Sequence, residues 1–256
     1  MKHPIIAFDF DGVIIDTAYE SYVVSIETYH KLFGRGIITD KGAKAYSKGR
    51  CFSLNAKSNL TLVRLCIDHP EINFDEYTQE LFDEEKKKDI VRADEFAQVF
   101  LFIRSEKRKK LNDWIKIQKP FVGIKQLIHE LLIKYNFYIV STKDVDSIIA
   151  LLKGFEINVP IEKIIADDYS LTKEKLLNKL AKIENVPVDE IVLFDDALKQ
   201  LVEARKIGVF GALAMWGEKR SSVINAAEFM NIPILYSTSE VLKFIEDIIN
   251  KNGDEK

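Results

Sequence analysis

Cysteine is scarce in this sequence, with Cys51 and Cys66 alone among 256 residues. Two thiols in so long a chain exclude a disulfide framework and point to reduced cysteines in a cytoplasmic setting. Long apolar runs are also missing. No stretch approaches the roughly 18 uncharged apolar residues of a spanning helix, so a helical membrane protein is not expected. The opening MKHPIIAFDFDG has an apolar run too short for a secretory leader, followed at once by acidic residues, and reads as a buried strand. An excess of positive charge is absent too: 37 Lys and Arg face 40 Asp and Glu, a net −3. That balance argues against wholesale nucleic-acid binding, which needs a basic face to neutralise phosphates. There is no internal repeat and no low-complexity segment. What is present is 47% hydrophobic and 30% charged residues, the composition of a globular protein able to bury a sizeable core.

Short apolar runs ending in polar residues recur at Ile5 to Phe8, Phe137 to Val140, Ile161 to Ala166, Ile191 to Phe194 and Val209 to Ala214. Stretches with helical spacing separate the later ones, among them Val122 to Lys134 and Lys173 to Ile183. This alternation predicts an α/β fold with a doubly wound parallel sheet. Between the first two runs lie about 100 residues, far more than an ordinary crossover connection. The segment is rich in Lys, Glu, Leu, Ile and aromatics at helix-compatible spacing, which predicts an inserted all-helical cap domain. The expected organisation is therefore a core of residues 1–16 and 120–250, a cap of residues 17–119, and a frayed tail at 251–256. The cap carries 19 Lys and Arg against 16 Asp and Glu, the remainder 18 against 24, which favours an anionic ligand at the cap. The runs EEKKKD and RSEKRKKLND read as solvated helix faces laced with ion pairs.

The strongest chemical signal is DFDGV, Asp9 to Val13, directly after an apolar strand, where parallel α/β sheets place functional loops. Gly12 permits a sharp turn, and residues two apart can then aim both carboxylates at one crevice. Paired aspartates can also cap a helix or bind a cation without catalysis. For catalysis, a carboxylate is a weak nucleophile, but phosphoryl transfer asks chiefly for positioning and charge neutralisation, which magnesium supplies. Asp9 would attack phosphorus, while Asp11 would protonate the leaving oxygen and then activate water.

With these residues in place, the sequence resembles the haloacid dehalogenase superfamily, whose first motif is an apolar strand followed by DxDG, often continuing to an acid such as Asp16. A second motif, a strand ending in Ser or Thr, resembles YIVSTKD: Ser141, with backbone amides and Thr142, would hold phosphate oxygens. The stretch before it, with Pro120 and Gly123, is similar to the family's helix entry. A third motif, a lysine near a helix start, matches Lys173, with Lys175 as its rival; a point cation with three donors suits two anions that otherwise repel. The fourth, an acidic cluster after a strand, resembles VLFDDALKQ. Here Asp196 falls on the metal-binding Asp, Asp195 stands where Gly is usual and is a further candidate ligand, and Gln200 occupies the place of a later acid. GVFGALAMWG and PILYSTSEVLKFIE resemble the closing elements of the phosphoglycolate phosphatase-like branch.

The resemblance implies a Rossmannoid core with a helical cap, a Mg2+ ion held by Asp9, Asp11, Asp195 and Asp196, and hydrolysis of a small phosphorylated metabolite by a cytoplasmic monomer or homodimer. A phosphomutase would share the same core, and a degenerate binding protein is the reading from another class. A dehalogenase needs neither metal nor Asp11. Within the cap, YSKGRCFS resembles the loop that faces the active site in related enzymes. It offers Lys48, Gly49 and Arg50 as substrate-binding residues, with the planar Arg50 guanidinium suited to a carboxylate or second phosphate.

Overall fold

A computed structural model of the chain describes residues 4–53, 55–167, 171–217 and 221–254. Residues 168–170 of the ADDYSLTKEK stretch lie outside these. Contacts divide the chain into two compact units, one of Met1–Asp16, Pro120–Lys219 and Ala226–Lys256, the other of Thr17–Lys119 with Arg220–Asn225.

The first unit is built on a six-stranded sheet: β1 (Ile5–Phe8), β2 (Asn136–Ser141), β3 (Ile164–Ala166), β4 (Ile191–Asp195), β5 (Phe210–Ala214) and β6 (Ile234–Leu235). Its order is β3-β2-β1-β4-β5-β6 and every pairing is parallel. A parallel sheet covered on both faces calls for continuous apolar strands, and β1 is buried at all four positions. The strand expected from Ile161 begins three residues later. Ile161–Lys163 forms a 3-10 turn after Pro160, Ile161 is exposed, and pairing with β2 starts only at Ile139 against Ile164.

The second unit contains α1 (Ala18–Phe33), α2 (Asp40–Gly49), α3 (Ala56–Asp68), α4 (Gln79–Asp89), α5 (Ala93–Lys109) and α6 (Leu111–Lys116). Helix α1 packs on α2, α3 and α5 around Leu60, Val63, Phe96 and Phe100. Inside it Glu20, fully buried, is gripped by Arg104 through Nε at 2.9 Å and Nη2 at 2.8 Å and accepts from Trp114 Nε1 at 3.1 Å.

Covering helices of the first unit are α7 (Ile124–Lys134), α8 (Val145–Gly154), α9 (Lys173–Glu184), α10 (Leu198–Lys206) and α12 (Val241–Asp254), while α11 (Ser221–Phe229) is divided between the two units after Asn225. In α7 the buried Ile124, Leu127, Ile128 and Leu131 follow one helical face. Removing Leu131 to Ala would cost about 2–5 kcal/mol, because the surrounding core closes only partly over the void. Of the tail expected to fray, backbone to Asp254 continues α12, since extending an existing helix is cheap once a turn has formed. Residues 255 and 256 lie outside the described residues. Among the described residues no helix is long and apolar enough to cross a membrane. Both cysteines are free and buried, and burial pushes the Cys66 thiol up to about 12, which keeps it protonated.

Candidate active site

Strand order places β1 between β2 and β4, at the point where the chain turns from one side of the sheet to the other. Crevices at the carboxyl ends of such strands are where open α/β sheets hold ligands. Asp9 leaves β1 there, and its N–H extends the ladder by donating to the Phe194 carbonyl at 2.9 Å. The loop beyond it closes tightly. Gly12 N–H donates to the Ile15 carbonyl at 2.8 Å and Ile14 N–H to the Phe10 carbonyl at 2.9 Å, while Trp216 Nε1 donates to the Val13 carbonyl at 2.9 Å.

Gly12 adopts φ +88°, and a Cβ built there would lie 2.1 Å from Asp196 Oδ2. The Asp196 carboxylate thus occupies space that any side chain at 12 would fill. Asp196 follows β4 directly, so its approach joins two neighbouring strand ends. One oxygen each of Asp9, Asp195 and Asp196 lies within 4.8 Å of the others, a spacing that could hold a metal ion.

Lys173 reaches this acidic cluster, and a second lysine reaches the neighbouring Asp11. Lys173, the first residue of α9, is 2% exposed; its Nζ donates to Asp9 Oδ1 at 2.6 Å and to the Val140 carbonyl at 2.9 Å, and lies 3.0 Å from Asp195 Oδ2. Burial works against its charge, but the carboxylates of Asp195 and Asp9 outweigh it and hold the Lys173 pKa above the ordinary value. Its rival Lys175 faces solvent. Asp195 is 1% exposed, and its Oδ1 accepts from the Ala197 N–H at 2.9 Å. Burial first, and then the nearby Asp9 anion, push its carboxyl up despite Lys173. Of the two adjacent acids, Asp195 is the buried one, held against Lys173, while Asp196 is partly exposed at the crevice.

The second lysine, Lys143, did not figure in the motif reading. It is 1% exposed and its Nζ lies 3.1 and 3.2 Å from the two Asp11 carboxylate oxygens. Its position two residues after the strand-end Ser141 is the only sequence signal that could have marked it. Ser141 ends β2, 2% exposed, with Oγ accepting the Lys143 N–H at 3.4 Å; Thr142 beside it is half-buried. Gln200 sits in the first turn of α10, half-buried.

Lys48, Gly49 and Arg50 belong to the second unit. The Tyr46–Ser53 segment, expected as a loop, is the end of α2 and a 3-10 turn at Arg50–Phe52. Lys48 pairs with Asp75 at 2.9 Å, both partly exposed. Gly49 is buried, and a Cβ there would meet Leu62 Cδ1 at 2.4 Å and the Phe74 ring at 2.9 Å, so its smallness serves packing inside this unit. Arg50 Nη1 donates to the Ser53 carbonyl at 2.6 Å.

The fold is similar to solved structures. A predicted phosphatase from Clostridium acetobutylicum aligns at TM-score 0.66 and 16% identity, over 96% of this chain and 100% of that one. A haloacid dehalogenase-like family hydrolase from Streptococcus pneumoniae aligns at 0.63 and 17%, over 94% and 97%. A predicted phosphoglycolate phosphatase from Haemophilus somnus aligns at 0.63 and 14%, over 95% and 98%. No curated protein matches the sequence. The family model described as haloacid dehalogenase-like hydrolase matches residues 61–214, more than half of the chain and a span that takes in β2 to β5, Ser141, Lys173, Asp195 and Asp196. With that match, the chain belongs to the haloacid dehalogenase-like hydrolase family.

Proposed function

We propose that the protein is a magnesium-dependent phosphatase that hydrolyses a small phosphate monoester through an aspartyl phosphate on Asp9. The observation that carries this reading is the Asp9 carboxylate, held at 2.6 Å by a buried lysine and clustered with two further carboxylates at the carboxyl end of a central strand. Four carboxylates, those of Asp9, Asp11, Asp195 and Asp196, gather here with the ammonium groups of Lys143 and Lys173. An arriving phosphate would be repelled unless a hard cation balanced the remainder, and an all-oxygen donor set suits magnesium. The residues fit such an ion: Asp9 and Asp196 would hold it, with the Asp11 backbone carbonyl, and the absence of a side chain at Gly12 is what lets the Asp196 carboxylate come in. When bound, it neutralises charge on the phosphoryl oxygens and fixes their orientation.

The chain's own residues then divide the work. Asp9 attacks phosphorus as the ester P–O bond breaks, and the Asp11 carboxylic acid gives its proton to the leaving oxygen. In the second half, Asp11 takes a proton from water, the water attacks phosphorus, and the bond to Asp9 breaks to release phosphate. Lys173 shields Asp9 from repulsion, and Asp195 holds Lys173 in place. Ser141 and Thr142, at the end of β2, donate to the phosphoryl oxygens. The names of the C. acetobutylicum and H. somnus proteins, each a predicted phosphatase, support the same reaction class here.

The test is turnover of p-nitrophenyl phosphate with and without magnesium, beside Asp9→Asn, which keeps the side-chain volume and removes the attacking charge. Chelation and the substitution should each abolish turnover. More than a tenth of wild-type activity in Asp9→Asn, or full activity after exhaustive chelation, refutes the scheme.

A further inference from the structure

That scheme leaves Lys143 without a task, although the fold goes to some length to hold it. Burying an ammonium costs several kcal/mol unless it is paired. Lys143 is 1% exposed, and it meets Asp11, 132 residues away, through both carboxylate oxygens at 3.1 and 3.2 Å. Its backbone is fixed on either side: its own N–H is bonded to Ser141 Oγ, and the next residue, Asp144, caps α8 by accepting from Ser147 N–H at 2.9 Å. The terminal torsion of an aspartate is broad and roughly two-fold. A cation straddling both oxygens at nearly equal distances removes that freedom and sets the plane of the carboxylate. Asp11 has particular need of this, being carried on a turn and 15% exposed at the crevice.

We propose that Lys143 is a positioning residue for Asp11: it orients the carboxylate that exchanges a proton with the leaving oxygen and with water, and acts through Asp11 rather than on the phosphoryl group. The inference rests on the general acid and base role given to Asp11 above. The two buried lysines thereby serve different halves of the chemistry, Lys173 the nucleophile and Lys143 the proton carrier. Misplacing a reacting group by about 1 Å can cost about 100-fold in rate, which sets the scale of the expected loss.

The experiment is a double-mutant cycle on turnover with Lys143→Met, Asp11→Asn and both together, with magnesium, on phenyl phosphate and on p-nitrophenyl phosphate, whose better leaving group needs less proton assistance. Lys143→Met should lower kcat on phenyl phosphate by about 100-fold, lower it less on p-nitrophenyl phosphate, and leave KM within about twofold. In the Asp11→Asn background the same change should alter kcat by less than about threefold, because a residue acting through Asp11 has nothing left to act on. Equal losses in both backgrounds, or a raised KM with kcat unchanged, would overturn the inference; the latter would make Lys143 a phosphate ligand. Should Lys143→Met lack a cooperative thermal transition, Lys143→Gln carries the same comparison. A wild type inactive on both substrates would defeat the phosphatase reading and this role with it, whereas an active wild type with additive losses would defeat this role alone.

Discussion

Gly12→Ala tests the join between the two strand ends at the crevice. The substitution acts twice. At φ +88° an L side chain meets its own backbone, a strain of about 1–2 kcal/mol. For a chain of this size each kcal/mol lowers the melting temperature by about 2–4 °C, so the metal-free protein should melt roughly 2–8 °C lower. The new methyl would also lie 2.1 Å from Asp196 Oδ2, and ordinary contact begins at 3.4 Å, so the carboxylate must retreat by about 1.3 Å, the difference of the two. A ligand moved that far should weaken magnesium binding by about 10–100-fold, the loss usual when the support of a metal ligand is disturbed. With magnesium at 100 times its wild-type Kd, the ion stabilises wild type by about 2.7 kcal/mol; after a 100-fold loss only about 0.4 kcal/mol remains. Thermal melts of both proteins, with chelator and with magnesium, separate the terms, because strain lowers both melts and the displaced ligand shrinks only the magnesium-induced rise. A rise equal to that of wild type, with an unchanged magnesium requirement for turnover, would refute the placement of Asp196 at the metal.

The adjacent acids Asp195 and Asp196, at the end of β4, should separate in function. Asp196→Ala should raise the magnesium concentration for half-maximal turnover, and Asp195→Ala should instead destabilise the fold by stripping a partner from buried Lys173; the reverse pattern would exchange their roles. In the helical unit, Arg104→Met should cost about 3–5 kcal/mol in urea unfolding, because it leaves the Glu20 carboxylate buried without its cation. Adding Glu20→Gln should recover most of that loss, and a cost under about 1 kcal/mol for Arg104→Met alone would show that the pair is hydrated in solution.

The sheet was legible because a strand buried on both faces is written as an uninterrupted apolar run, and Ile5 to Phe8 and Ile191 to Phe194 appear in the structure as they read. The same signal misplaced the start of β3. An apolar residue such as Ile161 looks alike in a strand and in an exposed 3-10 turn, and what separates them is a pairing partner that sequence does not carry. Lysines posed a like problem. Lys173 stood out from Lys175 only through its helix start, and the structure puts Lys173 against Asp9 and Lys175 in solvent. Lys143 was invisible because burial of a lysine depends on a partner 132 residues distant, and no local pattern encodes that pairing. Nor could spacing foretell that Gly49 would be consumed in contacts with Leu62 and Phe74.

The position of β1 has a consequence for how the chain is made. This strand is synthesised first among the six, yet its partners β2 and β4 begin at Asn136 and Ile191. At about 5–20 residues per second, a ribosome needs roughly 6–25 s after Phe8 to reach the first of them. Through that interval the chain displays an apolar strand with no sheet to join, and the four residues of β1 are close to the least such a strand can have. Asp9 is therefore among the first residues to be made and among the last to be placed, since its surroundings assemble only when the final third of the chain arrives.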